Sequence, residues 1–178
     1  PLQLANLACI MANKGYYHIP HIAKAIGSKN NRITKYEKKY YTKVSQEHFD
    51  LIRDGMELAV EAGTATQAKI DSISVCGKTG TAQNPHGENH SIFICFAPKD
   101  NPKIAVACVV ENSGYGGTWA APIASLMIEK YLKGDINRNN PYRVFLEKRI
   151  LEANFLEMLK AKKSRSEEHT SELQSRQS

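Results

Sequence analysis

The sequence predicts an α/β fold of the α+β type, an antiparallel sheet flanked by helices, and three observations carry that reading. Residues 91–97 and 103–111 are continuous apolar runs separated only by Pro98-Lys99-Asp100-Asn101-Pro102, the pattern of two buried strands closed by a turn. Helical periodicity dominates on either side. Phe49, Ile52, Met56, Ala59 and Val60 recur on one face of residues 46–62, and Ile123, Leu126, Met127, Lys130 and Tyr131 recur on one face of a segment after Trp119. At 178 residues, 42% of them hydrophobic, the chain can bury the core of one domain or part of one.

Taken in order, the chain starts on a helix. Leu4, Leu7, Ala8 and Met11 form its stripe and Gly15 its C-cap. No initiator methionine precedes Pro1, so the expectation is a piece cut from a longer protein. Tyr16 to Ile22 reads as a short extended connection, and Lys24 to Thr42, polar and rich in lysine and tyrosine, as loop or edge strand. Ser45 is placed as N-cap of the helix over residues 46–62, which Gly63 ends. Ile73 and Val75 alternate with polar neighbours and predict a strand near residues 72–83. A loop around Pro85 and Gly87 leads to the hairpin, and Asn112 to Gly117 reads as a flexible loop. Thr118 or Trp119 then opens a helix with Pro122 in its first turn and Gly134 as its stop.

Beyond Gly134 the sequence predicts a helical extension over residues 135–163, starting at Asn140 or Pro141 and carrying Phe145, Ile150, Leu151, Phe155, Met158 and Leu159. Residues 164–178 have no periodicity and almost no apolar content, which predicts disorder. They also resemble the translated read-through of a sequencing adapter and are excluded from the fold as non-native.

Composition removes several function classes. The formal net charge of +6 comes from basic residues that are scattered and concentrate mainly after Lys130, with no nucleic-acid motif among them. A solvated basic surface is the reading, and no nucleic acid is expected as a partner. Cys9, Cys76, Cys95 and Cys108 sit in apolar segments without a Cys-x-x-Cys pair, so they read as small buried residues rather than metal ligands. The chain has no signal peptide and no run of eighteen apolar residues.

The candidate chemistry lies in Val75-Cys76-Gly77-Lys78-Thr79-Gly80-Thr81-Ala82-Gln83. On an exposed strand edge, Gly80 leaves room for a substrate backbone to lie alongside, as in recognition by strand addition. Lys78 supplies a positive charge, and Thr79 and Thr81 supply hydroxyls suited to a carboxylate. A phosphate-binding loop is excluded, because Ser72 stands where its first glycine belongs and Pro85 and Gly87 interrupt the helix that should follow. His86, Glu88 and His90 have neither the spacing nor the helix of a zinc protease and read as polar loop residues. Ser113 has Glu111 where a nucleophile elbow needs glycine. Tyr115 and Trp119 could line a cleft, although a core tryptophan opening a helix is the plainer reading.

These stretches resemble the class B penicillin-binding proteins, in particular the penicillin-binding protein 2 type, whose Lys-Thr-Gly-Thr motif matches Lys78 to Thr81. The first helix, with Pro1-Leu2-Gln3-Leu4-Ala5, is similar to that family's Pro-Leu-Gln-Leu-Ala helix. Gly63-Thr64-Ala65, the motif strand, the hairpin strand ending in Phe96-Ala97-Pro98, and the glycine-rich loop before Ala120-Ala121-Pro122 follow in the family's order. The resemblance spans roughly residues 1–134, as the C-terminal part of a transpeptidase domain related to serine β-lactamases. It implies a peptidoglycan D,D-transpeptidase that cross-links stem peptides through a serine acyl-enzyme and binds penicillin, without a cofactor.

By the same resemblance Lys78 sets the field around the serine, Thr79, Gly80 and Thr81 hold the substrate, and the Thr81 N–H is one oxyanion-hole donor. The partners implied are a stem peptide ending in D-Ala-D-Ala, β-lactams and a glycan-strand polymerase. The location implied is the bacterial cytoplasmic membrane, reached through a missing N-terminal segment, with the domain facing the periplasm or cell exterior. The chain departs from the pattern at the nucleophile. No serine is followed three residues later by lysine, and the only Ser-x-Asn triplet, Ser28-Lys29-Asn30, falls after the first helix rather than before it. Alone, these residues are expected to be inactive. A penicillin-sensing receptor and a serine β-lactamase relative are the alternatives.

Overall fold

The structure is a computed structural model and describes residues 1–23, 33–137, 140–142, 144–148, 152 and 156. Two units result, Pro1–Ile136 and Asn137–Ser178. In the second, residues 141, 142, 144–148, 152 and 156 have helical backbone. Residues 164–178 and Ser28-Lys29-Asn30 lie outside the described residues.

The first unit runs α1 (Leu2–Ala12), β1 (Tyr16–Tyr17), β2 (Tyr40–Tyr41), α2 (Gln46–Glu61), β3 (Cys76–Ala82), β4 (His90–Ala97), β5 (Ile104–Val110) and α3 (Ala120–Lys133). Single 3-10 turns stand at Thr34–Tyr36 and Thr66–Ala68. Strands β3, β4 and β5 form one antiparallel sheet in that order, with Gly80 opposite Ile92 and Phe93 opposite Cys108. β1 and β2 pair separately as a short antiparallel ribbon.

The sheet separates two cores because successive side chains point to opposite faces. Phe93, Cys95 and Val106 pack with Ala120, Ala121, Ala124 and Ile128 of α3 and with Val60 and Val75. On the other face Cys76 and Phe96 meet Ala12 of α1 and Met56 of α2.

The helical stripes differ from the sequence reading for one physical reason. Both α1 and α3 approach the sheet over small residues. In α1 the buried positions are Ala8 and Ala12, while Leu7 is exposed. In α3 the buried face is Ala120, Ala121, Pro122, Ala124, Ser125, Ile128 and Glu129, and Met127, Lys130 and Tyr131 face outward. Close approach excludes bulky side chains, so an assignment based on the largest apolar residues selects the wrong side of the helix. In α2 Arg53 takes the buried position beside Phe49, Met56 and Val60, and Ile52 is exposed.

The element ends show similar shifts. α1 stops at Asn13, and Lys14 enters the left-handed region ahead of Gly15. Ser45 does occupy the N-cap position of α2, but its hydroxyl meets His48 Nδ1 at 2.6 Å rather than a backbone N–H. Strand β3 begins at Cys76, because Ile70 and Ile73 form a bridge across a turn in which Ser72 has φ 66°. Gly134 ends α3 in the left-handed conformation, as its sequence position predicts.

Candidate functional site

Lys78-Thr79-Gly80-Thr81 lies on β3, whose one partner among the described residues is β4. The opposite edge of β3 is therefore open. Lys78 and Gly80 project on the α1 side of the sheet with Cys76, whereas Thr79 and Thr81 share the α3 side with Gly77. Lys78 is exposed, and its Nζ donates to the Thr79 carbonyl at 2.7 Å. That contact puts the Thr79 carbonyl on the open edge. Backbone groups of an antiparallel strand alternate between its two edges with a period of two, so the Thr81 N–H and carbonyl face the same way.

The threonine side chains have separate surroundings. Thr79 Oγ1 shares a 2.9 Å hydrogen bond with Thr64 Oγ1, which ties the motif strand to the turn after α2. Thr81 is exposed. The structure thus gathers Lys78, Thr79, Gly80 and Thr81 on one strand edge but sends the ammonium and the two hydroxyls to different faces of it.

The glycines of the motif are explained by what lies against them. A Cβ on Gly77 would stand 2.3 Å from Phe93 Cζ, so only glycine lets that ring cover the strand. A Cβ on Gly80 would meet nothing closer than Ile92 Cβ at 3.4 Å, leaving its own face open. From the other face the segment 114–117 is seated on the strand. A Cβ on Gly116 would lie 2.2 Å from the Ile92 carbonyl oxygen and 2.6 Å from that of Gly80, and one on Gly117 would lie 2.6 Å from the Thr64 carbonyl oxygen.

Reading residues 112–117 as a flexible loop overlooked its anchor. Ser91, fully buried on β4, donates to the Tyr115 carbonyl at 2.9 Å and accepts the Ala120 N–H of α3 at 3.1 Å. Asn89 accepts from the Ser113 and Gly114 N–H groups at 2.9 and 2.7 Å. Neither Ser91 nor Thr64 carries a sequence signal for these roles, beyond a serine inside an apolar run and the Gly-Thr-Ala turn. Tyr115 is exposed, and Trp119 takes the N-cap position of α3.

The remaining candidates do not join this edge. His90 Nδ1 accepts the Asn112 N–H at 3.1 Å and so serves the loop. All four cysteines are free; Cys76 and Cys95 are buried and Cys9 and Cys108 partly so. Burial pushes the Cys76 thiol up to about 12 and raises the thiols of Cys95, Cys9 and Cys108, which keeps them protonated and poor nucleophiles. A cavity of about 260 Å³ between α1 and residues 18–21 has none of the motif residues in its lining.

Comparison with known proteins gives this geometry a context. Residues 1–129 match the family described as the penicillin binding protein transpeptidase domain. The chain is 31% identical over 171 residues to the peptidoglycan D,D-transpeptidase MrdA of Haemophilus influenzae, covering 84% of this chain and 26% of that protein. It is 35% identical over 136 residues to the stage V sporulation protein D of Bacillus subtilis, covering 69% of this chain and 21% of that protein. Among solved structures it resembles PBP2 of Pseudomonas aeruginosa in complex with WCK 5153, with a TM-score of 0.64 and 32% identity over 78% of this chain and 31% of that one. The penicillin G acyl-enzyme complex of penicillin-binding protein A from M. tuberculosis gives 0.58 and 30% over 72% and 31%.

Proposed function

This chain belongs to the penicillin-binding protein transpeptidase family, and from that premise we propose that it forms one wall of the active site of a serine D,D-transpeptidase that cross-links peptidoglycan. The observation that carries the reading is the open edge of β3, where Lys78 stands beside outward-facing backbone groups of Thr79 and Thr81. An extended peptide or a β-lactam can add to that edge, with Gly80 leaving space over the α1 side.

In this chemistry a serine Oγ attacks the carbonyl of the penultimate D-Ala and forms an acyl-enzyme. The C–N bond to the terminal D-Ala breaks, and that D-Ala leaves as the amine, taking up the serine's proton. An amine of a neighbouring stem peptide then displaces the serine and makes the cross-link. The Thr81 N–H donates to the developing oxyanion, and the Lys78 ammonium holds the field around the serine and the substrate carboxylate. Thr79 and Thr81 offer their hydroxyls to the carboxylate. For Thr79 this means sharing the hydroxyl that Thr64 already engages. The nucleophile belongs to a Ser-x-x-Lys turn that these residues do not contain.

A glycan-strand polymerase as partner, and a place on the outer face of the bacterial cytoplasmic membrane, complete the reading. The relatives named as peptidoglycan D,D-transpeptidases support the cell-wall setting of that reading. Among the described residues no helix is long and apolar enough to cross a membrane.

The test uses the full-length product of the gene that encodes this chain, labelled with a fluorescent penicillin over time. Lys78→Ala removes a cation that faces a carboxylate in a partly dry cleft, and the acylation rate should fall about ten- to a hundredfold, roughly 1.5 to 3 kcal/mol. Thr81→Val keeps the backbone N–H and should lose less. Undiminished labelling of Lys78→Ala at matched folded fraction would falsify the assignment.

A further inference from the structure

Thr64 and Thr79 meet across 15 positions of sequence, Oγ1 to Oγ1 at 2.9 Å. Among the described residues each of these hydroxyls has the other as its one hydrogen-bond partner. The turn that carries Thr64 is fixed from two sides. The N–H of the fully buried Ala65 donates to the Ala59 carbonyl of α2 at 3.0 Å. Gly117 sits so close to the Thr64 carbonyl oxygen that a Cβ there would lie 2.6 Å from it. The same Cβ would stand 3.9 Å from Thr79 Cγ2, so the methyl group of Thr79 is turned to the loop and its hydroxyl to Thr64. A β-branched side chain held at two points keeps one rotamer. Both threonines can still be reached from solvent, Thr64 being exposed and Thr79 half-buried.

A hydroxyl has one proton to donate and two lone pairs that accept. Two hydroxyls in contact therefore use one proton in their mutual bond and keep the other for a third group. Where Thr79 donates to Thr64, only lone pairs remain on Thr79, and these repel a carboxylate. Where Thr64 donates to Thr79, the remaining proton is on Thr79, which can give it to a carboxylate in a charge-assisted bond. The bond from Thr64 also polarises the Thr79 O–H, since hydrogen bonds in a chain strengthen one another. An anion at the motif strand thus selects the second arrangement, and the rigid turn holds Thr64 in place for it.

We propose that Thr64 is a positioning residue for carboxylate recognition: its hydroxyl donates to Thr79 Oγ1 and so turns the Thr79 proton outward, to the terminal carboxylate of a stem peptide or the carboxylate of a penicillin. The identity of that anion rests on the transpeptidase reading; the pairing of the two hydroxyls rests on the structure alone. Thr64 acts only through Thr79. Because the carboxylate lies away from the carbonyl that reacts, the contribution is the same in the first complex and in the transition state. It therefore belongs to affinity rather than to the rate of bond formation.

The experiment follows acylation of the full-length product by penicillin G and by its methyl ester, using intact-mass detection. A range of concentrations separates the dissociation constant of the first complex from the acylation rate. Wild type, Thr64→Val, Thr64→Ser, Thr79→Val and the Thr64→Val/Thr79→Val double variant are compared, with circular dichroism establishing equal folding. Thr64→Val should weaken the first complex with the acid about three- to tenfold, and change both its acylation rate and the ester's binding by less than about twofold. Thr64→Ser keeps the hydroxyl and should behave as wild type. In the Thr79→Val background Thr64→Val should add nothing, because its route to the ligand is gone. Equal losses for acid and ester, additive losses in the double variant, or a serine variant as impaired as the valine one each overturn the proposal. So does a Thr64→Val protein that binds the acid as wild type does. Any of these beside normal wild-type labelling sinks the positioning role alone. A wild type that takes up no acyl group from penicillin G sinks the transpeptidase reading, and the positioning role with it.

Discussion

Gly116 shows how a single missing side chain positions the candidate site. Its α-carbon sits so near the backbone of β3 and β4 that a methyl group would lie 2.2 Å from the Ile92 carbonyl oxygen. Carbonyl oxygens inside a ladder cannot swing aside as a side-chain tip can, so Gly116→Ala must lift the loop off the sheet. Overpacking of this kind costs about 1–3 kcal/mol. The expected outcome is a lower denaturation midpoint with an unchanged slope, together with slower penicillin labelling in the full-length product; wild-type values for both would mean that the loop seats itself in another way. At this scale the sequence was legible where chemistry is local. Lys78, Thr79, Gly80 and Thr81 lie in one contiguous motif, and the structure places all four on one strand. Thr64 and Ser91 were not legible, because their partners Thr79 and Tyr115 are 15 and 24 positions away and no local pattern encodes the meeting.

Along α2 the decisive position is Arg53, a charged residue where the stripe predicted Ile52. Its guanidinium donates through Nη2 to the Lys99 carbonyl and lies 5.6 Å from the Phe96 ring centre, so the helix is tied to the β4–β5 turn. Lys99 returns the contact, its Nζ 2.7 Å from Asp54 and 2.6 Å from Glu57, and both carboxylates raise its pKa. The Arg53 Nε has no partner among the described residues, so part of its burial goes uncompensated. Arg53→Ala should lose about 1–3 kcal/mol through the hydrogen bond and the packed stem together. Arg53→Met keeps the stem and removes the orphaned N–H, and should lose less than half of that. Equal losses in urea denaturation would show that the stem contributes nothing. Periodicity found this helix and its boundaries, because apolar positions three and four apart dominate residues 46–62. It could not find Arg53, since a hydrophobicity pattern treats every arginine as solvent-facing. The same blindness to depth placed Leu7, Met127 and Tyr131 inside, where α1 and α3 in fact rest on alanines.

In the whole first unit, three antiparallel strands carry α1 on one face and α3 on the other, and a single thiol at the centre can report on all of them. Cys95 is fully buried on the middle strand, opposite Val106 and within the core that α3 closes. Cys9 on α1 is partly exposed. The hairpin was legible from two apolar runs and a proline-bounded turn, but the placing of helices on both faces was not, since it depends on contacts that close only when distant segments meet. A thiol reacts as thiolate, and burial raises both pKa values by excluding solvent from the charged form. The sign follows directly. A folded pKa above the unfolded value means that this part of the stability is fully present below pH 9.0, the ordinary value for these thiols, and is lost progressively above it. Below that range Cys95 can be alkylated only when the sheet opens, whereas Cys9 needs no more than local motion of α1. Site-resolved mass spectrometry at neutral pH should therefore find Cys95 modified at least about a hundredfold more slowly than Cys9. Low urea should accelerate Cys95 with the slope of global unfolding and leave Cys9 nearly unchanged. If the two thiols react at similar rates and share a shallow urea dependence, the three strands and their covering helices do not unfold as one cooperative body.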